Sequence, residues 1–470
     1  MFRRFFHPPA RHPADGPPVD PYLPVSGNHG YRVEHYDLVL DYDIDSNELA
    51  ATATLTVRAT DAIEVLILDF STYLDVTDVT VDGHAAADVA QRDPHKLEIT
   101  LATALTPGKK ASIVVAYEGW PRPVRGPWGE IGWDQTSDGV CCANQPNGAP
   151  SWFPCNDHPS NKATYRITLT ADADYHVQTG GQLTSSTTVD GQTRWVYEQP
   201  APTPPYLMSI QIGEYRVQEL TRVPVPVDAV LPAQGPDAAE RGFGRQVEIL
   251  DAFIEMFGPY PFDSYTVVVV DEHFDIPVEA MAMSVFGANL CEQTDRSERL
   301  MAHELAHQWF GNSITLTQWR HIWLHEGFAC YAEWLWTERS GGRTRREWSQ
   351  YYYAKLSGTV GETTLADPGV KHMFDDWVYK RGALTVYALH LELGDEKFFA
   401  LLRQWLRDYR HASVTTDDFT ALAQTYSADS LQPLWTDWLY TAALPPLPQA
   451  RDEVADARGR STISAPESGN

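Results

Sequence analysis

The chain divides by the spacing of its apolar residues. In LAATATLTVRAT, Leu49, Ala51, Ala53, Leu55, Val57 and Ala59 alternate with Thr52, Thr54, Thr56, Arg58 and Thr60, the period of a strand with one buried face. EVLILDF, LDVTDVTVDG, ASIVVAYEG and ATYRITLTAD repeat this short, β-branched texture between Gly, Asp or Pro. Residues 25–218 are therefore expected to form an antiparallel β domain of sandwich type. From about 219 longer helical patterns such as RQVEILDAFIEMFG take over, with one strongly β run, YTVVVVDEH. A mainly helical domain with a small sheet at its start is expected over 219–445, making the chain an α+β, multidomain protein. The proline-rich residues 1–24 read as a disordered or loosely docked arm, and 446–470 as a disordered tail.

Composition narrows the function classes. With 470 residues, two or three domains are expected, and 43% hydrophobic content with 15 Trp and 22 Tyr excludes a disordered chain. A formal charge of -27 without a concentrated Lys/Arg stripe argues against nucleic acid as a partner. No apolar run approaches the roughly 18 residues of a membrane span, so no membrane partner is expected. The five cysteines form no paired framework, and the start lacks a secretory apolar stretch; reduced thiols and a cytoplasmic location are the expectation.

The chemistry concentrates in HELAHQWFGNSITLTQWRHIWLHEG, residues 303–327. A helix turns about 100° per residue, so His303 and His307 project from one face toward a common ion, with Glu304 at its edge. In this H-E-x-x-H pattern the histidines bind zinc and the glutamate accepts a proton from activated water. LMAHELAHQWFG reads as a helix that Gly311 could end. A catalytic zinc needs a third protein ligand, for which Glu326, on the next helical pattern, is the natural choice; His321 and His325 compete by residue type. Glu333, seven residues on, shares the Glu326 face and either orients a ligand or forms a salt bridge.

The sequence resembles the aminopeptidase N family of zinc metallopeptidases, within the gluzincins. Residues 303–326 follow its H-E-x-x-H, eighteen residues, Glu pattern; DPYLP, RVEHYDLVLDYD, SWFPCNDHPSNKATYRITL and PYLMSIQIGEY resemble further segments, over about residues 20–445. The resemblance implies a thermolysin-like catalytic domain with one Zn2+ held by His303, His307 and Glu326, and hydrolysis of N-terminal residues from peptides. By the same resemblance Glu304 is the base, and Tyr379, from DDWVYKRGALTVYALH, stabilises the oxyanion. Arg381 stands where the family commonly has Lys, which keeps charge but not geometry.

The family's Gly-x-Met-Glu-Asn segment, which grips the substrate ammonium, corresponds to FDIPVEAMAMSVFG in either of two registers. Placing Met281 on the motif Met would put Ala282 at the glutamate; placing Glu279 on the motif Glu keeps the anchor, at the cost of Ile276, Val278 and Ala280 in place of Gly, Met and Asn. The second register is adopted. Pro277 there cannot donate a backbone hydrogen bond to a substrate lying alongside. Gln145 occupies the position of a second amine contact. Few residues follow LHLELGDEKFF, where many relatives have a large helical domain. Related hydrolases, such as an endopeptidase or an epoxide hydrolase, and a catalytically silent zinc-containing binding protein are the alternatives.

Overall fold

The computed structural model describes residues 19–358, 361 and 363–447, so most of the predicted arm and nearly all of the predicted tail lie outside the described residues. Near the start of the described chain, Asp20 Oδ2 accepts from the Trp319 amide at 2.7 Å and Leu23 is buried, which docks residues 19–24 onto the helical half.

The first half is built on an eight-stranded sheet ordered Gln182–Val189, Gln192–Thr203, Ala163–Asp172, Tyr31–Asp43, Glu48–Ala59, Lys110–Gly119, Leu74–Val81, His84–Ala85. The alternating apolar residues of Glu48–Ala59 are all buried, as their period requires. One pairing departs from the antiparallel expectation: Tyr31–Asp43 runs parallel to Ala163–Asp172, so the sheet is mixed. Three- and five-stranded sheets complete the domain. The five-stranded one contains Gly129–Gln135 and Val140–Ala143, which lead into Gln145.

A second five-stranded sheet is ordered Tyr215–Thr221, Val227–Pro232, Tyr265–Val270, Met283–Gly287, Val278–Ala280. Its first strand begins at Tyr215, slightly ahead of the boundary drawn at 218. Every residue of Tyr265–Val270 is buried, because this strand is central and flanked by parallel partners; hence its unbroken run of valines. Val278–Ala280 is the free edge, closed onto Met283–Gly287 by a tight turn in which Ala282 takes φ 55°.

The helices that matter are α1 (Gln246–Phe257), α2 (Asp295–His307), α3 (Trp323–Arg339), α4 (Arg345–Ser357) and α5 (Asp376–Leu393). Thr294 caps α2 by accepting from the Ser297 amide, and Asp295 and Glu298 in its first turn suit the positive end of the helix. α3 and α5 touch backbone to backbone: a Cβ on Gly327 would lie 2.8 Å from Gly382 Cα. This approach sets Cys330 and Glu333 of α3 beside Lys380 of α5. No helix among the described residues is long and apolar enough to cross a membrane.

Candidate active site

The two imidazoles and Glu326 converge as the spacing predicts. Ligand atoms of His303, His307 and Glu326 lie within 4.8 Å of one another, all three residues buried. Glu326 Oε2 stands 3.4 Å from His303 Nε2 and 3.5 Å from His307 Nε2. The other ring nitrogens are occupied by the protein: His303 Nδ1 meets Glu333 Oε1 at 2.9 Å, and His307 Nδ1 meets the Phe310 carbonyl at 3.1 Å. Both contacts direct Nε2 toward the shared point.

α2 ends at His307, so Gly311 is not its terminator. The chain bends instead to bring the Phe310 carbonyl to His307, and Gly311, at φ +134°, packs where a Cβ would meet His307 Nδ1 at 3.3 Å and His325 Cγ at 3.5 Å. The competing histidines are engaged elsewhere. His325 Nε2 accepts from the Leu316 amide at 3.1 Å, and His321 Nδ1 pairs with Thr416 Oγ1 at 2.9 Å.

The donor set fits a dication. Glu326 Oε2 and Glu304 Oε2 are buried without a hydrogen-bond partner, a costly arrangement unless positive charge sits among them. The side chains alone answer this with protons: burial favours a neutral His307, but Glu279 and Glu326 outweigh it and raise its pKa to about 9. Burial favours a protonated Glu326, yet the two imidazoles hold it well below the usual carboxylate range. Glu304 is raised, first by burial and then by Glu279 and Glu326, against the pull of both histidines. Two imidazoles, one carboxylate and open space beside them match a catalytic zinc site.

All seven residues singled out from the sequence line one cavity of about 900 Å3: His303, His307, Glu326, Glu304, Tyr379, Glu279 and Gln145. Tyr379 lies with its ring parallel to that of His303, centroids 6.0 Å apart. Glu279, 7% exposed, accepts from Gln145 Nε2 at 2.7 Å, so the two halves of the molecule meet at this pair. Ala282 sits in the turn after Ala280 and does not line the cavity. Glu333 is buried, bonded to His303 and to Arg299 Nη1 at 2.8 Å, and thus supports a ligand and is no surface salt bridge.

Sequence reasoning missed several supports. Lys380 Nζ donates to Cys330 Sγ at 3.1 Å and stands 4.0 Å from Glu333 Oε1, joining Arg299 around that carboxylate. Gln308 and Asn312, four and eight residues after Glu304, both donate to the Ala280 carbonyl, at 3.2 and 2.8 Å. They fasten the strand that carries Glu279 to the segment just after α2, and no spacing in the sequence marks that contact. Arg381 points away from the cavity, and its guanidinium donates to carbonyls of residues 437–443.

Comparison with known proteins agrees with this geometry. Residues 242–438 match the Peptidase family M1 domain, and residues 32–207 match the Peptidase M1 N-terminal domain. The chain is 28% identical over 312 residues to Aminopeptidase M1-B of Oryza sativa subsp. japonica, covering 61% of this chain but 35% of the rice protein. It is 25% identical over 479 residues to Leucine aminopeptidase 2 of Yarrowia lipolytica, covering 94% of this chain and 72% of that protein. Among solved structures, an M1 zinc metallopeptidase mutant from Deinococcus radiodurans bound to a Tyr-Ser-Ala substrate superposes with a TM-score of 0.84 at 29% identity. That match covers 92% of this chain and 99% of the other.

Proposed function

The chain belongs to peptidase family M1, and on that premise we propose that it is a zinc-dependent aminopeptidase that removes N-terminal residues from peptides. One observation carries the reading: the convergence of His303, His307 and Glu326 in the same cavity as a bonded pair, Glu279 and Gln145, suited to an ammonium. His303, His307 and Glu326 would hold one zinc per chain. The chemistry it would supply there is Lewis acidity toward a carbonyl oxygen and a lowered pKa, near 7, for water.

The protein supplies the rest. Glu304, its Oε2 without a protein partner, takes the proton from the attacking water and later delivers it to the leaving amine. Tyr379, whose phenol is kept protonated by burial and then by Glu326 and Glu279, donates a hydrogen bond to the developing oxyanion. Glu279, whose pKa burial raises against the pull of His307, and the Gln145 side-chain oxygen receive the substrate ammonium. The edge of strand Val278–Ala280 is where an extended peptide would lie, shortened on one side by Pro277. Five free, buried cysteines favour a reducing, cytoplasmic setting.

Aminoacyl fluorogenic amides assayed with and without a chelator test the proposal, with N-acetylated twins as controls. Chelator-sensitive turnover of the free-amine substrates alone is expected. Equal cleavage of the acetylated peptides would remove the amine grip, and absence of any chelator-sensitive turnover would remove the enzyme.

A further inference from the structure

The oxyanion donor sits where its own helix is least able to hold it. Tyr379 closes the first turn of α5, whose amides have no carbonyl partners inside the helix. Asp375, at the N-cap, makes no side-chain cap bond; its carboxylate pairs with His372 Nδ1 at 2.6 Å instead. The ion pair of Asp376 with Lys355, at 2.7 Å, is exposed on both sides and contributes little. On the metal side Tyr379 meets the His303 ring, centroids 6.0 Å apart, a contact that leaves its hydroxyl to be aimed by the backbone. The direction of the phenol therefore depends on what fixes this turn.

Lys380, the next residue, supplies that fixing. Its side chain is drawn inward until only 14% is exposed. The ammonium donates to Cys330 Sγ at 3.1 Å, stands 4.0 Å from Glu333 Oε1 and lies 5.1 Å from the centre of the Tyr352 ring. Cys330 and Glu333 belong to α3 and Tyr352 to α4. α3 also carries Glu326, and Glu333 Oε1 is the atom that meets His303 Nδ1. One ammonium thus ties the turn bearing Tyr379 to the helix bearing one metal ligand and to the carboxylate that aims another. Arg381, one position further, grips residues 437–443 and does not reach the metal side.

We propose that Lys380 is a positioning residue for the reaction: it touches no reacting atom and acts by aiming the Tyr379 hydroxyl at the developing oxyanion. The inference rests on the aminopeptidase reading. A misdirected donor weakens a bond made only in the transition state, so the cost of losing Lys380 falls on kcat and spares KM.

The test measures kcat and KM for an aminoacyl fluorogenic amide in wild type, Lys380→Met, Tyr379→Phe and the double variant, with the zinc content of each. Met keeps an unbranched stem that can pack without the charge. Lys380→Met should hold one zinc per chain, lose about tenfold in kcat and keep KM within about twofold. Its affinity for a phosphinic peptide analogue, whose tetrahedral oxygens stand in for the oxyanion, should fall by a similar factor in calorimetry, a readout independent of turnover. In the Tyr379→Phe background the same substitution should change kcat by less than about twofold, because no hydroxyl is left to aim. Cys330→Ala cuts the tie from the α3 side and should show the same pattern at smaller size, which keeps the test alive should Lys380→Met fail to fold. Wild-type kcat and analogue affinity in both variants overturn the proposal. So does a tenfold loss that persists in Tyr379→Phe, which gives Lys380 a role apart from Tyr379, or a raised KM alone, which puts the ammonium on the substrate. No chelator-sensitive turnover by wild type removes the aminopeptidase reading and this inference with it.

Discussion

Replacing Arg381 should damage stability and spare catalysis. Arg381 is 0% exposed in the middle of α5. Its Nε donates to the Trp438 carbonyl at 3.0 Å, Nη1 to Ala442 at 2.7 Å, and Nη2 to Asp437 at 3.0 Å and to Thr441. The guanidinium also lies 5.1 Å from the centre of the Trp377 ring. Burial, with no acid beside it, lowers its pKa to about 10, so it stays charged at neutral pH. In Arg381→Met these carbonyls lose a charged donor. Asp437 and Thr441 are exposed and turn to water, whereas the Trp438 and Ala442 carbonyls lie where water reaches less easily. At about 1–3 kcal/mol for each acceptor left unsatisfied, the loss is about 3 kcal/mol, with about half recovered by Arg381→Lys, which keeps the charge but not the fork. Urea unfolding at fixed zinc measures it, and kcat/KM of the folded protein should stay within a few-fold of wild type. A variant with a wild-type unfolding midpoint and a hundredfold loss of kcat/KM would refute the reasoning and put Arg381 in the reaction.

Glu304→Gln should retain one zinc per chain by elemental analysis while kcat falls by about three orders of magnitude or more; retained turnover would place the base elsewhere. Glu279→Gln and Gln145→Ala should raise KM for free-amine peptides and leave binding of N-acetylated peptides little changed, as competition assays would show. Removing zinc should lower the thermal midpoint and restoring it should reverse the shift, because the ion binds only the folded arrangement of His303, His307 and Glu326. Burial, then Arg320 and Arg345 respectively, lowers His321 and His390 to about 4, and burial, then Lys162, lowers His411 to about 3. Their unfolded pKa is about 6.5, so between these values the unfolded chain binds more protons and stability is lost as pH falls from about 6.5 to about 4. Urea midpoints of chelated protein across that range check this, and His390→Gln should flatten the decline.

What the sequence made legible was local. The His303 and His307 spacing fixes a helix face, and alternation in Glu48–Ala59 fixes which side chains are buried. Neither pattern names a partner. A period of two says which face of Tyr31–Asp43 is inside but not that its neighbour is Ala163–Asp172 in parallel, since that depends on the route of the intervening chain. Lys380 and Cys330 escaped notice because their meeting requires the Gly327–Gly382 approach of α3 and α5, which no single segment encodes. Arg381 was aligned with a motif, and alignment assigns a position without assigning the direction of the side chain.

The altered segment from Ile276 to Ala280 shows how long-range contacts change the meaning of a local departure. By sequence, losing Gly, Met and Asn around Glu279 weakens the amine grip. In the fold the position of Glu279 is set by contacts from outside that segment. The Glu279 carboxylate is held by Gln145, 134 residues earlier, and its strand by Gln308 and Asn312 through the Ala280 carbonyl. Amide side chains that each donate a fixed bond locate the strand edge from opposite sides, so Val278 and Ala280 need only fit a buried pleat. Ile276 is left 65% exposed and lines the cavity. The departure therefore leaves the bond between Glu279 and Gln145 in place.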